Sequence, residues 1–484
     1  MHFLLKLIQA MLCSIWLLPA TPAAGQRDKG AAPPRRNVLF IVIDDLRPAL
    51  GCYGDSLAYT PNLDRLAAQG VLFERAYCQE AVCAPSRSSV LTGLRPDKLK
   101  VWGLTKHFRT GNPGLVTLPE YFKRNGYVTA SAGKIFHDPE SHQDPASWSI
   151  PARYNITKND PGHKYVLPAN RGGGKGNATE RLNIMDSAYI DGKVTAAALQ
   201  LLRQVKDHPF FLAVGFRRPH LPFSAPDKYW RLHEGKRFMI SNNRPPQQAP
   251  SLALHRSQEL RGYRDMPKQG PVSGQAAQQL WQGYYAAVSY VDAQVGRLLD
   301  ELQRLQLLEN TIIVCWSDHG YHLGEQGLWC KSTNFENAAR VPLIIADPSA
   351  RQRGVHINGL VELVDIYPTL LERCGLPAHA PLDGISLQPY MNGSGTPLKN
   401  FALSQFIRPY SALFHEENIA VMGYSLRTTR YRYTEWRQMG SDSVVARELY
   451  DHEQDAEETA NIAAAADPAE IAALHAQLQA VLDE

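Results

Sequence analysis

Long apolar runs are scarce in this chain of 484 residues. After the first 25 residues no stretch reaches 18 uninterrupted apolar residues, so no stable membrane span is expected. Cysteine is sparse too. Of the seven, Cys13 lies near the start, and Cys52, Cys78, Cys83, Cys315, Cys330 and Cys374 show neither the dense spacing of a disulfide scaffold nor a CxxC pair for zinc. An excess of one charge is also missing. Lys and Arg number 51 against 47 Asp and Glu, a formal net charge of +4, which gives no general case for nucleic acid and leaves room only for a local basic pocket. What is present is apolar mass: 44% hydrophobic against 20% charged residues supports a large core and excludes a disordered or fibrous chain.

Residues 1–25 read as a secretory signal. Lys6 sits beside an apolar run from Leu7 to Leu18, broken only by Gln9, Cys13 and Ser14, and a small-residue patch follows from Ala20 to Gly25. The leader implies an exported protein, periplasmic or secreted, or a lysosomal lumen if the source is eukaryotic. Beyond it, four aliphatic runs each stop at polar groups, as buried parallel strands do at their carboxyl ends. Asn37 to Ile43 stops at Asp44-Asp45; Tyr127 to Ala132 stops at Gly133-Lys134, with His137 just beyond; Phe210 to Phe216 stops before Arg217 and His220; Thr311 to Trp316 stops at Ser317-Asp318-His319-Gly320. Between them lie helical patterns, the clearest being Val288, Val291, Val295, Leu298 and Leu302. The expected fold is α/β: a large mixed, mostly parallel sheet flanked by helices over residues 37–395. A smaller C-terminal α+β domain, 396–484, is built on an antiparallel sheet, since Tyr431 to Trp436 alternates and Pro468 to Leu482 reads as an amphipathic helix. Ligands of such sheets bind outside the carboxyl ends of the strands, which licenses grouping the four termini. Residues 141–180 and 235–280 are rich in Pro, Gly, Gln and Asn and read as long surface loops of the kind that form lids or substrate-binding insertions.

The sharpest signal is Cys83-Ala84-Pro85-Ser86-Arg87-Ser88-Ser89-Val90-Leu91-Thr92-Gly93. Pro85 is tolerated in a first helical turn and Val90-Leu91 begin an apolar face, so Cys83 is expected at a helix N-terminus. The dipole and free amides there favour an anion, either a thiolate or a ligand oxyanion. A plain buried cysteine ahead of a helix is the alternative. The C-x-P-S-R string followed by L-T-G resembles the signature of the type I sulfatases, and the likeness runs from Asn37 to Glu448-Leu449-Tyr450-Asp451. One departure is Leu94, where many members carry Arg; Arg95 follows it. Within the family, Asp44-Asp45-Leu46-Arg47-Pro48, Phe211-Leu212-Ala213-Val214-Gly215, Ser317-Asp318-His319-Gly320 and Met422-Gly423-Tyr424-Ser425 resemble the iduronate-2-sulfatase branch.

The resemblance implies an alkaline-phosphatase-like fold. It also implies that Cys83 is oxidised to formylglycine (3-oxoalanine) by a formylglycine-generating enzyme, the hydrate supplying the nucleophile. It points to Ca²⁺, with Mg²⁺ as the other hard cation that carboxylates suit, held by Asp44, Asp45, Asp318, residue 83 and His319, which stands where many members have Asn. A sulfate ester demands neutralisation of its oxygens, an oxygen nucleophile, and a proton for the departing alkoxide. By resemblance Arg87 forks onto the sulfate or the hydrated aldehyde, and Lys134 and Lys331 balance sulfate oxygens. His137 is the base, and His220 binds sulfate and with Lys331 protonates the leaving oxygen.

The implied substrate is a sulfated oligosaccharide or glycosaminoglycan, heparan sulfate among them, bearing a 2-sulfated uronic acid at its non-reducing end. An algal sulfated uronan is the near alternative. A phosphoester hydrolase on the same fold and a non-catalytic carbohydrate-binding relative are the rivals. A two-zinc phosphoesterase needs further His and Asp ligands, and no second cluster beyond Asp318-His319 is visible. Sugar specificity is expected from Trp102 to Arg109, Tyr321-His322 and Gln405 to Arg408, and the resemblance implies that Tyr321 keeps a stacking aromatic with altered fit.

Overall fold

The structure, a computed structural model, describes residues 35–483 apart from 139, 157–163, 172–173, 240–242, 273, 380 and 442. The proposed leader lies outside the described residues. A seven-stranded sheet is built from β1 (Asn37–Ile43), β2 (Val71–Tyr77), β3 (Val128–Gly133), β4 (Phe210–Phe216), β5 (Thr311–Ser317), β6 (Arg340–Ala346) and β7 (Val355–Glu362), in the order β7-β2-β6-β5-β1-β4-β3. All neighbours pair parallel except β6, which is antiparallel to both β2 and β5. The sheet is therefore mixed and mostly parallel, as the sequence leads one to expect.

Every residue of β1 is buried because helices cover both faces of the sheet. Leu39, Ile41 and Ile43 pack on one side against α1 (Pro61–Gln69), α3 (Ile190–Val205) and α5 (Gly274–Arg304). Val38, Phe40 and Val42 pack on the other against α2 (Cys83–Thr92) and α6 (Ile366–Arg373). This alternation follows from the two-residue period of a strand, and each such side chain contributes about 1.5–3 kcal/mol on burial.

A second, antiparallel sheet comprises β8 (Ala402–Arg408), β9 (Val421–Arg427), β10 (Tyr431–Gln438) and β11 (Val444–Asp451) in sequential order. The terminal helix α7 (Pro468–Asp483) lays Leu474, Leu478 and Val481 on Leu403, Leu426, Tyr433 and Leu449 of this sheet. The two sheets meet next to the Cys83 segment. Gln405 N donates to Gln79 O at 2.8 Å, and Ser404 Oγ donates to Cys78 O at 2.6 Å. A buried ionic knot also joins them: Arg432 Nε reaches Glu458 Oε1 at 2.5 Å, while Tyr77 OH and Arg427 Nε both donate to Glu336 at 3.0 and 3.2 Å.

The region 235–280 is less loop-like than its composition suggests. α5 already begins at Gly274, a short helix α4 spans Gln258–Arg261, and Leu260 and Tyr263 are buried in the main core. Apolar residues three apart anchor this segment despite its Pro, Gln and Gly content. Among the described residues, no helix is long and apolar enough to cross a membrane.

Candidate active site

Adjacent strands in matched register bring the polar termini together. Ile43 lies opposite Ser317, so Asp44-Asp45 and Asp318-His319 leave the sheet side by side. Asp44 N donates to Phe216 O at 3.1 Å and Lys134 N to Gly215 O at 2.9 Å, which draws the ends of β4 and β3 into the same place. Asp45 turns back with φ 63°, a left-handed conformation that Asp tolerates better than most residues. Two bonds hold it there: its N–H donates to Asp318 Oδ1 at 3.2 Å and its carbonyl accepts from Tyr284 OH at 2.8 Å.

Cys83 opens α2, as expected. The helix is buried on every side rather than amphipathic, because its polar residues are used internally. Arg87 is the clearest case: Nε bonds Asp318 Oδ2 at 2.8 Å, Nη2 bonds Asp44 Oδ1 at 3.2 Å, and Nη1 donates to Lys134 O and Ile135 O at 2.5 and 3.0 Å. Cys83 Sγ lies 3.3 Å from His319 Nε2 and 3.5 Å from Asp44 Oδ1. One donor atom each from Asp44, Asp45, Cys83 and His319 lies within 4.8 Å of the others, all buried. Two carboxylates converging this closely fit a hard divalent cation, and the sulfur is the one soft donor among them. Asp318 stands beside this group, with Oδ2 3.6 Å from His319 Nε2, and is bound by Arg87.

The charges here interact strongly. Burial pushes the Asp44 carboxyl up, but Lys134, with Nζ 2.6 Å from Oδ2, and Arg87 outweigh it and hold the group well below the usual carboxylate range. At Asp45 burial wins over His220 and Lys331, and its carboxyl is raised. Burial, aided by Asp44, pushes the Cys83 thiol well up. Of the two anions suggested for the helix N-terminus, the thiolate is therefore disfavoured, since burial and the adjacent Asp44 carboxylate outweigh the groups that would stabilise it.

Lys331 Nζ bridges Asp45 Oδ1 and Oδ2 at 2.9 and 3.0 Å and Glu259 Oε2 at 3.1 Å. His220 Nε2 is 3.1 Å from Glu259 Oε1 and 3.9 Å from Asp45 Oδ2. Asp45, His220 and Glu259 thus form a second ligand-like group that the sequence does not reveal. The Lys331 ammonium lies between its two carboxylates. His137 lies on the loop after β3, and its Nδ1 is buried without a hydrogen-bond partner among the described residues. Burial and then Lys134 drive its pKa well down, so the ring is a neutral acceptor. Glu259 escapes sequence reasoning because it sits in a polar stretch with no motif around it.

Two expectations about specificity fail. Tyr321 is fully buried, stacked on Tyr284 with centroids 5.5 Å apart and donating to Cys330 Sγ at 3.2 Å, so it offers no face to a sugar. His322 is likewise buried against Thr333, and Gln405 to Arg408 form buried strand β8 rather than a loop. Tyr321 is held by core packing against α5, whereas Phe406 and Ile407 pack with Val82, Leu413 and Met422. Arg95 is committed to a two-pronged pair with Glu362 at 2.7 and 2.9 Å.

Comparison with known proteins bears on this arrangement. The sequence model of the Sulfatase family matches residues 36–376, and that of the N-sulphoglucosamine sulphohydrolase C-terminal region matches residues 324–484. Iduronate 2-sulfatase of Mus musculus is 37% identical over 471 residues, covering 83% of this chain and 84% of the relative. The Homo sapiens enzyme is 36% identical over 481 residues, covering 85% and 86%. Among solved structures, the phosphonate monoester hydrolase of Agrobacterium radiobacter superposes with a TM-score of 0.77 at 25% identity, covering 93% of this chain and 96% of that one. With its family match over most of the chain and two relatives above 30% identity, this protein belongs to the sulfatase family.

Proposed function

We propose that this sulfatase removes the 2-O-sulfate of a non-reducing-end uronic acid in glycosaminoglycan breakdown, using formylglycine made from Cys83 by a formylglycine-generating enzyme. The mouse and human relatives, both iduronate 2-sulfatases, support the substrate. The observation that carries the chemistry is the convergence of Asp44, Asp45, Cys83 and His319 on one point, ringed by the buried cations Arg87, Lys134 and Lys331. Asp44, Asp45 and His319, with Asp318 beside them, would hold Ca²⁺. The ion would supply positive charge to a sulfate oxygen and to the nucleophile.

Within this reading the side chains divide the work. A geminal diol at position 83 offers one hydroxyl to attack sulfur and a second whose proton His137 accepts, releasing sulfate and restoring the aldehyde. Arg87 fixes Asp44 and Asp318 relative to position 83, and Lys134 and Lys331 meet sulfate oxygens. His220 and Lys331 serve the departing sugar oxygen. The leader supports an exported enzyme, and residues 37–395 and 396–484 are its catalytic and smaller C-terminal domains.

The test has two arms. Mass spectrometry of the peptide spanning residue 83 is expected to show the aldehyde, and Cys83→Ala to abolish sulfate release. Full activity with an intact thiol would refute the reading. In a panel of defined sulfated disaccharides, a 2-O-sulfated uronate is expected to be the best substrate, with loss on chelation. Faster turnover of phosphate monoesters than of any sulfate ester would transfer the protein to the rival class represented by its phosphonate-hydrolysing neighbour.

A further inference from the structure

Glu259 has no part in the roles set out above, yet its carboxylate touches two of the residues given one. Its Oε1 lies 3.1 Å from His220 Nε2, and its Oε2 lies 3.1 Å from Lys331 Nζ. On the other side of the imidazole, His220 Nδ1 meets the carbonyl of Leu221 at 2.7 Å. A carbonyl and a carboxylate are acceptors only, so the His220 ring is fixed at both nitrogens by partners to which it donates. Lys331 is held in the same way between Asp45 and Glu259, with both flanking residues, Cys330 and Ser332, at positive φ of 75° and 77°. Such strained backbone persists only where the surroundings over-determine it.

The segment carrying Glu259 is built to stay in place. Ser257 Oγ accepts from Trp329 N at 3.0 Å, tying α4 to the two-residue strand Trp329–Cys330 that precedes Lys331. Leu260 is buried in the main core, and Lys175 Nζ donates to the Glu259 carbonyl at 3.0 Å. Residues 220, 259 and 331 thus come from three separate parts of the chain, and one carboxylate joins them.

We propose that Glu259 is a positioning residue for leaving-group departure, gathering His220 and Lys331 into one carboxylate-bridged pair aimed at the sugar oxygen. This rests on the reading of His220 and Lys331 as the groups that serve that oxygen. If so, Glu259 matters most when the leaving oxygen is hard to expel. An alkoxide of a sugar needs a well-placed donor, whereas a nitrophenolate departs with little help.

The experiment compares Glu259→Gln, Glu259→Asp and His220→Gln with the parent on 4-nitrophenyl sulfate and on a 2-O-sulfated uronate disaccharide, measuring kcat and KM separately. For Glu259→Gln the expected result is a kcat loss of roughly 100-fold on the disaccharide and roughly 5-fold on the aryl ester, with KM moved far less and Glu259→Asp recovering part of the loss. Melting temperatures show that the variants are folded. An equal loss on both substrates would overturn the proposal, since simple damage to the site does not sort substrates by leaving group. A lower KM in Glu259→Gln would also overturn it, by making Glu259 a competitor of the sulfate. If His220→Gln shows the leaving-group bias and Glu259→Gln does not, only the role of Glu259 falls. If His220→Gln shows no bias, the reading of His220 falls and the proposal with it.

Discussion

At the scale of single residues, the polar side chains gathered in the interior separate into those announced by a motif and those positioned only by the fold. Asp44, Asp45, Cys83, Arg87, Asp318 and His319 were legible because each lies in a strand end or a helix start where its type has a physical purpose. Glu259 and the burial of Tyr321 were not, because contacts across long sequence distances decide them. Glu448 belongs to the second kind. It is buried in the antiparallel sheet, accepting from Trp436 Nε1 at 2.8 Å and Tyr450 OH at 2.6 Å, and burial pushes its carboxyl up to about 7. An ordinary unfolded carboxyl, at about 4.3, binds its proton less tightly than this one. The stability contributed is therefore complete below the unfolded pKa and is lost as pH rises through about 7. Glu448→Gln is expected to remove that loss and to exceed the parent by on the order of 2 kcal/mol at pH 8 but not at pH 4. Urea denaturation at both pH values reads the difference.

At the scale of elements, β1 and β4 match their aliphatic runs because a strand buried on both faces has no polar residue until it ends. β2 and β7 are harder to read from sequence for the opposite reason. Glu74 and Arg75 interrupt β2, and β7 begins with the half-exposed Val355-His356-Ile357, so neither shows a continuous apolar run. The close approach of β3 and β4 has its own sequence cause. Gly133 faces Gly215 across the pair, and a Cβ on Gly215 would lie 1.9 Å from the Lys134 carbonyl that Arg87 Nη1 holds. Gly215→Ala is expected to cost roughly 1–3 kcal/mol of stability through overpacking. Displacing Lys134 by even a fraction of an ångström is expected to lower kcat further, by up to about 100-fold at temperatures where the variant remains folded. Thermal melts paired with sulfate-release assays separate the two effects.

At the scale of the whole molecule, the site draws on β1, β3, β4 and β5, the start of α2 and a long insertion, so the groups converge only in the folded state. A divalent ion that binds the native chain alone adds about 2.7 kcal/mol at a hundredfold excess over its Kd. Chelation is accordingly expected to lower the melting temperature, Ca²⁺ to restore it, and Asp45→Asn to abolish the response; differential scanning calorimetry measures all three. The encasement of α2 has a separate consequence. Cys83 is 3% exposed and no residue of its helix reaches the surface freely. On the proposed conversion of Cys83 to formylglycine, another enzyme could not thread that thiol into its own catalytic cleft once the sheet and helices have closed, so the oxidation would have to precede folding. Molecules that fold unmodified would then be lost to the active pool for good, and specific activity would become a record of which event came first.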